Sequence, residues 1–223
     1  MKLESVGIII NIRPFGERDA VTHIFTRDFG VLAGMLRGAL TAKKNRPLVG
    51  QFGPVSWNAR LETHVGTFHF ESARNMSAPL MGHIPALLHM NSAFALLAAL
   101  LPEREKYESL YVRTENLLSG LENCVSDHDN AAGRIRQLYT DWEVWFLQEL
   151  GYALDLTRCS NCGCVDGLTH ISHRSGRAVC ERCAAPYLDK CFPLPVDLIA
   201  TKYFLSRMAE SQGARLPHAR NMI

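Results

Sequence analysis

The sequence lacks the short motifs that mark the best-known nucleotide-binding and catalytic sites. It contains no phosphate loop of the form G-x-x-x-x-G-K-[ST], no G-x-G-x-x-G turn and no H-E-x-x-H metalloprotease motif. A G-x-S-x-G nucleophile elbow is also missing. These absences argue against a phosphate-loop ATPase, but they leave other enzyme classes open.

Long uninterrupted apolar segments are scarce. The apolar run at 6–12 is too short for a secretory signal, and no small-residue cleavage site follows it. The longest apolar stretch, 84–101, approaches the length of a membrane span. It contains His89 and Asn91, however, so we expect a buried helix of a soluble domain.

Acidic residues are absent from one long segment. No Asp or Glu occurs between Asp28 and Glu62, and residues 1–80 carry ten Lys/Arg against six Asp/Glu. The basic residues of the segment are Arg37, Lys43, Lys44, Arg46 and Arg60. A local basic field of this kind predicts a polyanionic partner. A solvated loop is the alternative interpretation.

Residues 1–75 have the pattern of a small β domain. Apolar residues alternate from 6 to 12, and β-branched runs follow at 21–26 and 31–36. Two further alternating runs occupy 55–62 and 65–71. Five short strands separated by turn signals predict a closed barrel such as the OB-fold. The basic loop falls between the third and fourth strands.

The hydrophobic period becomes helical from about residue 78. Apolar residues three or four apart predict helices at 84–101, 103–121, 130–150 and 197–211. Gly151 is placed to end the third helix, and Asp197 to cap the last one. We therefore predict an α+β fold, with a barrel domain at 1–77 and a helical domain at 78–223.

Four of the seven cysteines form two C-x2-C pairs. Cys159 and Cys162 precede Cys180 and Cys183, with 17 residues between the pairs. Two such knuckles complete a tetrahedral site of four sulfurs, and the spacing is typical of structural zinc. Because this site has no open coordination position, we expect one structural Zn²⁺ per chain, in a zinc-ribbon-like insertion at 159–183.

The same region contains residues that could support other metal or redox chemistry. Alternative ligands lie nearby at Cys164, His170, His173 and Cys191. A thioredoxin-type redox pair is disfavoured, because that motif occurs singly and beside a βαβ unit. A zinc deaminase is rejected: His69 and Glu71 match H-x-E, but Cys159 lies 88 residues beyond Glu71 and does not follow proline.

Three longer segments resemble one known family. Residues 7–39, GIIINIRPFGERDAVTHIFTRDFGVLAGMLRGA, resemble the opening strands of the bacterial RecO family. Residues 147–163, LQELGYALDLTRCSNCG, resemble the entry to that family's zinc site, and 173–183, HRSGRAVCERC, its exit. The similarity covers nearly the whole chain, and the joint occurrence of both ends makes coincidence improbable.

The resemblance implies a cytoplasmic, nucleoid-associated and non-catalytic mediator of recombination in DNA repair. Such proteins bind single- and double-stranded DNA and anneal complementary strands, including strands coated by the single-stranded-DNA-binding protein SSB. With RecR they help to load RecA in the RecF pathway. None of these steps needs ATP hydrolysis by the mediator, which fits the missing phosphate loop.

An OB barrel binds a single strand through cationic side chains and aromatic stacking. The DNA-binding candidates are Arg37, Lys43, Lys44 and Arg46, with Arg13, Arg18 and Arg60 as weaker ones. Candidate stacking residues are Phe15, Phe29, Phe52 and Trp57. Packing in the barrel core is an equally good interpretation of each of these aromatic residues.

The resemblance also implies a site for the acidic, Phe-terminated tail of SSB on the helical domain. The candidates are Arg207, Lys202 and Arg136, with Arg134 and Arg220 as further possibilities. The sequence departs from the family in the third helix, where Thr140 and Asp141 stand roughly where some relatives have arginine. The position of the tail site therefore stays open.

Two other functions are compatible with the motifs. A zinc-ribbon and OB-fold protein could act on RNA in translation or transcription, and preference for single-stranded DNA over RNA of equal length separates the two. A metal-dependent hydrolase is the other alternative, and a second, exchangeable metal ion would indicate it.

Overall fold

The computed structural model describes residues 1–42, 46–60, 65–127 and 131–223. Lys43 and Lys44 of the basic loop therefore lie outside the described residues. The N-terminal strands are β1 (Lys2–Phe15), β2 (Asp19–Thr26), β3 (Gly30–Leu36), β4 (Gln51–Asn58), β5 (Gly66–Phe70) and the two-residue β6 (Arg74–Asn75).

Five of these strands close a barrel. The order β1-β2-β3-β5-β4 returns to β1, because β4 also pairs antiparallel with β1. β1 is long enough for both neighbours: Lys2 to Ile8 pair with β4, and Gly7 to Phe15 with β2. A register shift between Ile9 and Asn11 bends the strand around the barrel. The predicted OB-like barrel is confirmed.

The barrel core is built around Trp57. This side chain is 1% exposed, and its Nε1 donates a hydrogen bond to the Ala33 carbonyl at 2.9 Å. Gly66 makes room for the indole, because a Cβ at that position would lie 2.1 Å from the ring. Ile9 belongs to this core, yet Ile8 is equally buried. Both faces of β1 are therefore buried, because α1 packs against this strand. The alternation of apolar residues in the sequence predicted one buried face.

The chain continues with five helices among the described residues: α1 (Ile84–Leu100), α2 (Glu108–Ser126), α3 (Ala131–Glu149), α4 (Glu181–Ala184) and α5 (Leu198–Ser211). Short 3₁₀ turns occupy Ala78–Leu80, Ala185–Lys190 and His218–Met222. Three more strands, β7 (Leu168–Ser172), β8 (Ala178–Cys180) and β9 (Cys191–Pro193), form a small antiparallel sheet in the order β8-β7-β9.

The predicted end of the third helix and start of the last helix agree with the structure, whereas the second helix begins and ends five residues later than the predicted 103–121. Gly151 has a φ of +82° just beyond α3, a conformation that favours glycine. The Asp197 carboxylate accepts hydrogen bonds from the backbone N–H groups of Ile199 and Ala200, at 3.0 and 2.9 Å, and so caps α5. Within the described ranges, no helix combines the length and apolar content that a membrane crossing needs.

By compactness the chain divides into two units, which are 1–135 with 217–223, and 136–216. The first unit holds the barrel, α1 and α2, and the C-terminal 3₁₀ turn packs on α1. The second unit holds the rest of α3, the cysteine-containing insertion and α5. The domain boundary predicted at residue 77 marks the change from strands to helices and stays a prediction.

Candidate metal centre and DNA-binding residues

The first cysteine pair lies on a tight turn before β7. The backbone N–H of Gly163 donates to the Cys159 carbonyl at 2.9 Å, and the Cys159 N–H donates to the Cys164 carbonyl at 2.8 Å. The N–H of Ser160 donates to the carbonyl of Ala178 at 2.8 Å, which ties this turn to β8. Because β8 ends at Cys180, the two cysteine pairs are brought together.

The four sulfurs of Cys159, Cys162, Cys180 and Cys183 all lie within 4.8 Å of one another. The Sγ atoms of Cys162 and Cys180 are 3.7 Å apart. With a zinc–sulfur bond of about 2.3 Å, the edge of a tetrahedral four-sulfur site is about 3.8 Å. The four cysteines could therefore bind a metal ion without rearrangement of the backbone.

The pKa values of these thiols differ according to their surroundings. Burial opposes ionisation of Cys159, but backbone N–H groups of Cys162, Cys180 and Asn161 donate to its sulfur and lower its pKa. A hydrogen bond from Asn161 favours the thiolate of Cys183, yet the crowded neighbouring thiols and burial raise its pKa. A bound cation would let all four sulfurs be thiolates at once, as zinc ligands must be.

The alternative ligands lie outside the group of four. The Sγ of Cys164 is 3.4 Å from that of Cys162 and donates to the carbonyl of Asp166 at 3.4 Å. The hydrogen bond to Cys162 is the largest cause of the raised pKa of Cys164, which keeps that side chain a thiol. Over the part of the chain that the structure describes, no second cluster of His, Cys, Asp or Glu has metal-binding spacing.

Two predicted DNA-binding residues meet at one end of the barrel. Arg37 follows β3 and Arg60 follows β4, and both line a cavity of about 550 Å³, here called the barrel-end cavity. Lys2 also lines it, because the pairing of β1 with β4 places Lys2 opposite Asn58. Sequence reasoning missed Lys2, which only the closure of the barrel brings to this place.

The other described cations of the barrel lie elsewhere on its surface. Arg13, Arg18 and Arg46 are exposed and do not line the barrel-end cavity. Within 1–42, 46–60, 65–127 and 131–223, none of these three and neither Arg37 nor Arg60 forms a salt bridge. Their charges are therefore available to an anionic partner.

The structure separates the four candidate stacking residues. Trp57 is in the barrel core, and Phe29 packs against that core. Phe52 is half-buried on β4, whereas Phe15 is 58% exposed at the end of β1. Of the four, Phe15 has the ring face that an unpaired base could reach.

Arg207 has the most developed surroundings among the candidates for the SSB tail. Its Nη1 donates to the carbonyls of His173 and Arg174, at 2.6 and 3.2 Å, and its guanidinium lies 5.8 Å from the centroid of the Tyr203 ring. It lines a cavity of about 340 Å³ together with Arg174 and several apolar groups, here called the Arg207 slot. The apolar lining comes from Tyr152, Leu154 and Phe204.

The remaining tail candidates are dispersed. Lys202 is half-buried on α5 and Arg136 is exposed on α3, and neither lines the Arg207 slot. Arg134 forms an ion pair with Asp127. Arg220 is fully buried in the first unit, so it is not a surface cation as the sequence suggested.

Comparison with known proteins agrees with this architecture. The family described as "Recombination protein O N terminal" matches residues 1–75, and "Recombination protein O C terminal" matches 81–219. The DNA repair protein RecO of Roseobacter denitrificans is 38% identical, over 99% of this chain and 95% of its own. The RecO protein of a Jannaschia species is 35% identical, over 97% of this chain and 92% of its own. The RecO protein of a Ruegeria species is 34% identical, over 96% of this chain and 93% of its own. The chain therefore belongs to the RecO family of DNA repair proteins.

Proposed function

We propose that this protein is a non-catalytic, cytoplasmic mediator of recombination that binds single- and double-stranded DNA and anneals complementary strands. The observation that carries the proposal is a barrel of the RecO family with exposed arginines that have no acidic partner among the described residues. Such cations neutralise phosphates whatever the base sequence, and annealing requires this on two strands at once.

Phosphate contacts are assigned first to the barrel-end cavity. Arg37 and Arg60 lie there with Lys2, whose ammonium forms an ion pair with Glu4. Lys43, Lys44 and Arg46, which precede β4 in the sequence, are proposed as further phosphate contacts, and Arg13 and Arg18 extend the charged surface beyond the cavity. Because these contacts are electrostatic, the proposed affinity falls steeply with salt concentration.

The metal of the four-cysteine site is proposed to be one structural Zn²⁺. Thiolate ligands select soft or borderline metals, and a closed tetrahedral four-sulfur site is typical of structural zinc. With four protein ligands, no position is left for a water or a substrate. The ion would hold the two knuckles together and supply folding free energy to the second unit.

The proposed partners are the SSB tail, RecR and, through RecR, RecA. The Arg207 slot has apolar walls for a terminal phenylalanine ring and two arginines for its carboxylate. Arg207 uses only Nη1 for its two carbonyl contacts, so its other nitrogens can donate to a carboxylate. Lys202 and Arg136 are proposed to meet acidic residues further along the tail.

Annealing of complementary oligonucleotides coated with SSB, measured without nucleotide, tests the proposal. We expect the protein to accelerate duplex formation, and the barrel variant Arg37→Glu/Arg60→Glu to lose most of the acceleration. Equal rates with and without protein would contradict the proposal. Tighter binding to single-stranded RNA than to DNA of equal length would favour an RNA-binding function instead.

A further inference from the structure

A cavity larger than the Arg207 slot lies between the zinc-ribbon-like insertion and α5, wholly within the second unit. Its volume is about 990 Å³, nearly three times that of the Arg207 slot, and it is here called the ribbon cavity. Among the residues that the structure describes, three cations line it, Arg174, Lys190 and Arg207, and no Asp or Glu does so. Two tyrosines, Tyr187 and Tyr203, supply aromatic surface.

The ring of Tyr203 is held in place by the aromatic rings around it. The Tyr203 ring meets Phe192 and Phe204 edge-on, with centroids 5.3 and 5.4 Å away, and lies 5.1 Å from the His173 ring. It is nevertheless 36% exposed, and Tyr187 on the 3₁₀ turn is 57% exposed. A ring that is both held by its neighbours and exposed, as that of Tyr203 is, can stack on a flat ligand with little further loss of conformational entropy.

The cations come from three different elements around the cavity. Arg174 lies in the turn between β7 and β8, Lys190 ends the 3₁₀ turn Ala185–Lys190, and Arg207 is on α5. Within the described ranges, none of the three forms a salt bridge. Arg207 is held in place by the carbonyls of His173 and Arg174, so the turn and the guanidinium are positioned together.

We propose that the ribbon cavity binds a single strand of DNA, with bases stacked on Tyr187 and Tyr203 and phosphates on the three cations. This inference rests on the proposed function, because it gives the protein a second strand-binding site beside that of the barrel. Cations that form no salt bridge among the described residues suit a phosphodiester chain, and exposed ring faces suit unpaired bases of any sequence. The size of the cavity exceeds what one aromatic side chain of a peptide would fill.

Two strand sites on one chain have a direct consequence for annealing. The barrel can hold one strand while the ribbon cavity holds its complement, so that one chain binds both strands without base-specific contacts. Charge neutralisation at both sites lowers the repulsion between the strands. Loss of the ribbon cavity should therefore impair annealing more than it impairs the binding of one strand.

The first experiment counts strands. Native mass spectrometry of the full chain with thymidine strands of about ten nucleotides, within the range of an OB-fold site, should show two strands per chain. The variant Tyr187→Ala/Lys190→Glu should bind one. Tyr187→Phe keeps the ring and should bind two, as should the matched controls Leu188→Ala, an exposed neighbour, and Arg215→Glu, an exposed cation outside the cavity.

The second experiment separates failure of this inference from failure of the proposed function. In the barrel variant Arg37→Glu/Arg60→Glu, residual strand binding should fall about fivefold or more when Tyr187→Ala is added, the loss expected of one stacked base. Strands carrying 5-iododeoxyuridine should photocrosslink to Tyr187 or Tyr203. Metal content and melting temperature of each variant verify that it is folded.

Three results would overturn the inference. The first is two bound strands in Tyr187→Ala/Lys190→Glu, and the second is crosslinks confined to residues 1–135. The third is a variant that keeps both strands but loses an acidic, Phe-terminated peptide, which would assign the ribbon cavity to a peptide. If instead the barrel variant alone keeps full affinity for DNA, the proposed barrel site fails and the ribbon cavity is judged by its own variants.

Discussion

The Sγ atoms of Cys162 and Cys180 lie 3.7 Å apart although 18 positions separate the two residues in the chain. Cys162 is on the first turn, and Cys180 is the last residue of β8. The hydrogen bond from the Ser160 N–H to the Ala178 carbonyl connects these two elements. The distance matches the edge of a tetrahedral zinc–thiolate site, so the backbone places the sulfurs where a metal would require them.

We predict that substitution of a metal-site cysteine removes the metal, whereas substitution of the nearby Cys164 does not. Cys180→Ser and Cys183→Ser should each lose the single metal ion, because the other thiolates cannot complete a tetrahedral site. Structural zinc contributes about 10–16 kcal/mol in zinc-finger peptides, comparable with or above the total stability of a typical domain. We therefore expect insoluble or much less stable protein, measured by elemental analysis and thermal melting.

Cys164→Ser is the matched control for the metal prediction. Its sulfur is close to that of Cys162 but outside the group of four, so the variant should keep one metal ion and the parent melting temperature. Loss of metal from Cys164→Ser, with retention in Cys183→Ser, would show that the ligand set is wrong.

The barrel predicts a salt-dependent loss of DNA binding. Arg37→Glu/Arg60→Glu, and separately Lys43→Glu/Lys44→Glu/Arg46→Glu, should weaken binding about equally for strands of different sequence. Log affinity falls as log salt concentration rises, and on single strands this slope should become shallower by about 0.7 for each lost phosphate contact. Fluorescence anisotropy at several salt concentrations measures both quantities. An unchanged slope with a loss for one sequence only would indicate base recognition instead.

The Arg207 slot predicts that tail binding and strand binding can be separated. Arg207→Glu should weaken an acidic peptide ending in phenylalanine about tenfold or more, because a charge-assisted hydrogen bond is lost and a repulsive charge is added. Tyr152→Ala removes a wall of the slot that the ribbon cavity does not share, so it should weaken the peptide and spare single-strand binding. Isothermal titration calorimetry measures the peptide. Parent-like peptide affinity in both variants would place the tail site elsewhere, with Arg134 and Arg136 the next residues to test.

His23 predicts a pH dependence of stability in the first unit. Burial lowers the pKa of His23 below its ordinary value of 6.5, against the opposing effect of Glu103, and its buried Nδ1 has no hydrogen-bond partner among the described residues. Below pH 6.5 the unfolded chain binds a proton that the folded chain does not, so stability falls as the pH falls from 6.5 towards the lowered pKa. His23→Asn should lose less stability than the parent between pH 7 and pH 5.5 in urea unfolding. An equal loss in both proteins would exclude this histidine as a cause.

Much of the fold could be predicted because the relevant signals are local. Strands and helices each have a characteristic hydrophobic period in the sequence. Capping of α5 by Asp197 and termination of α3 near Gly151 depend on the backbone within a few residues. The two cysteine pairs were also apparent, since two residues between cysteines suffice to build a knuckle. Local patterns were therefore sufficient to predict the barrel, the helices and the composition of the candidate metal centre.

Contacts between distant parts of the chain determine which side chains share a surface. Closure of β1 on β4 brings Lys2 to Arg37 and Arg60, and no pattern in the sequence marks that pairing. Arginine is usually a surface residue, yet Arg220 is fully buried because the C-terminal turn packs on α1. The ribbon cavity collects Arg174, Lys190 and Arg207 from a turn, a 3₁₀ segment and a helix. Such groupings follow from long-range packing, which periodicity does not encode, so only the folded chain determines them.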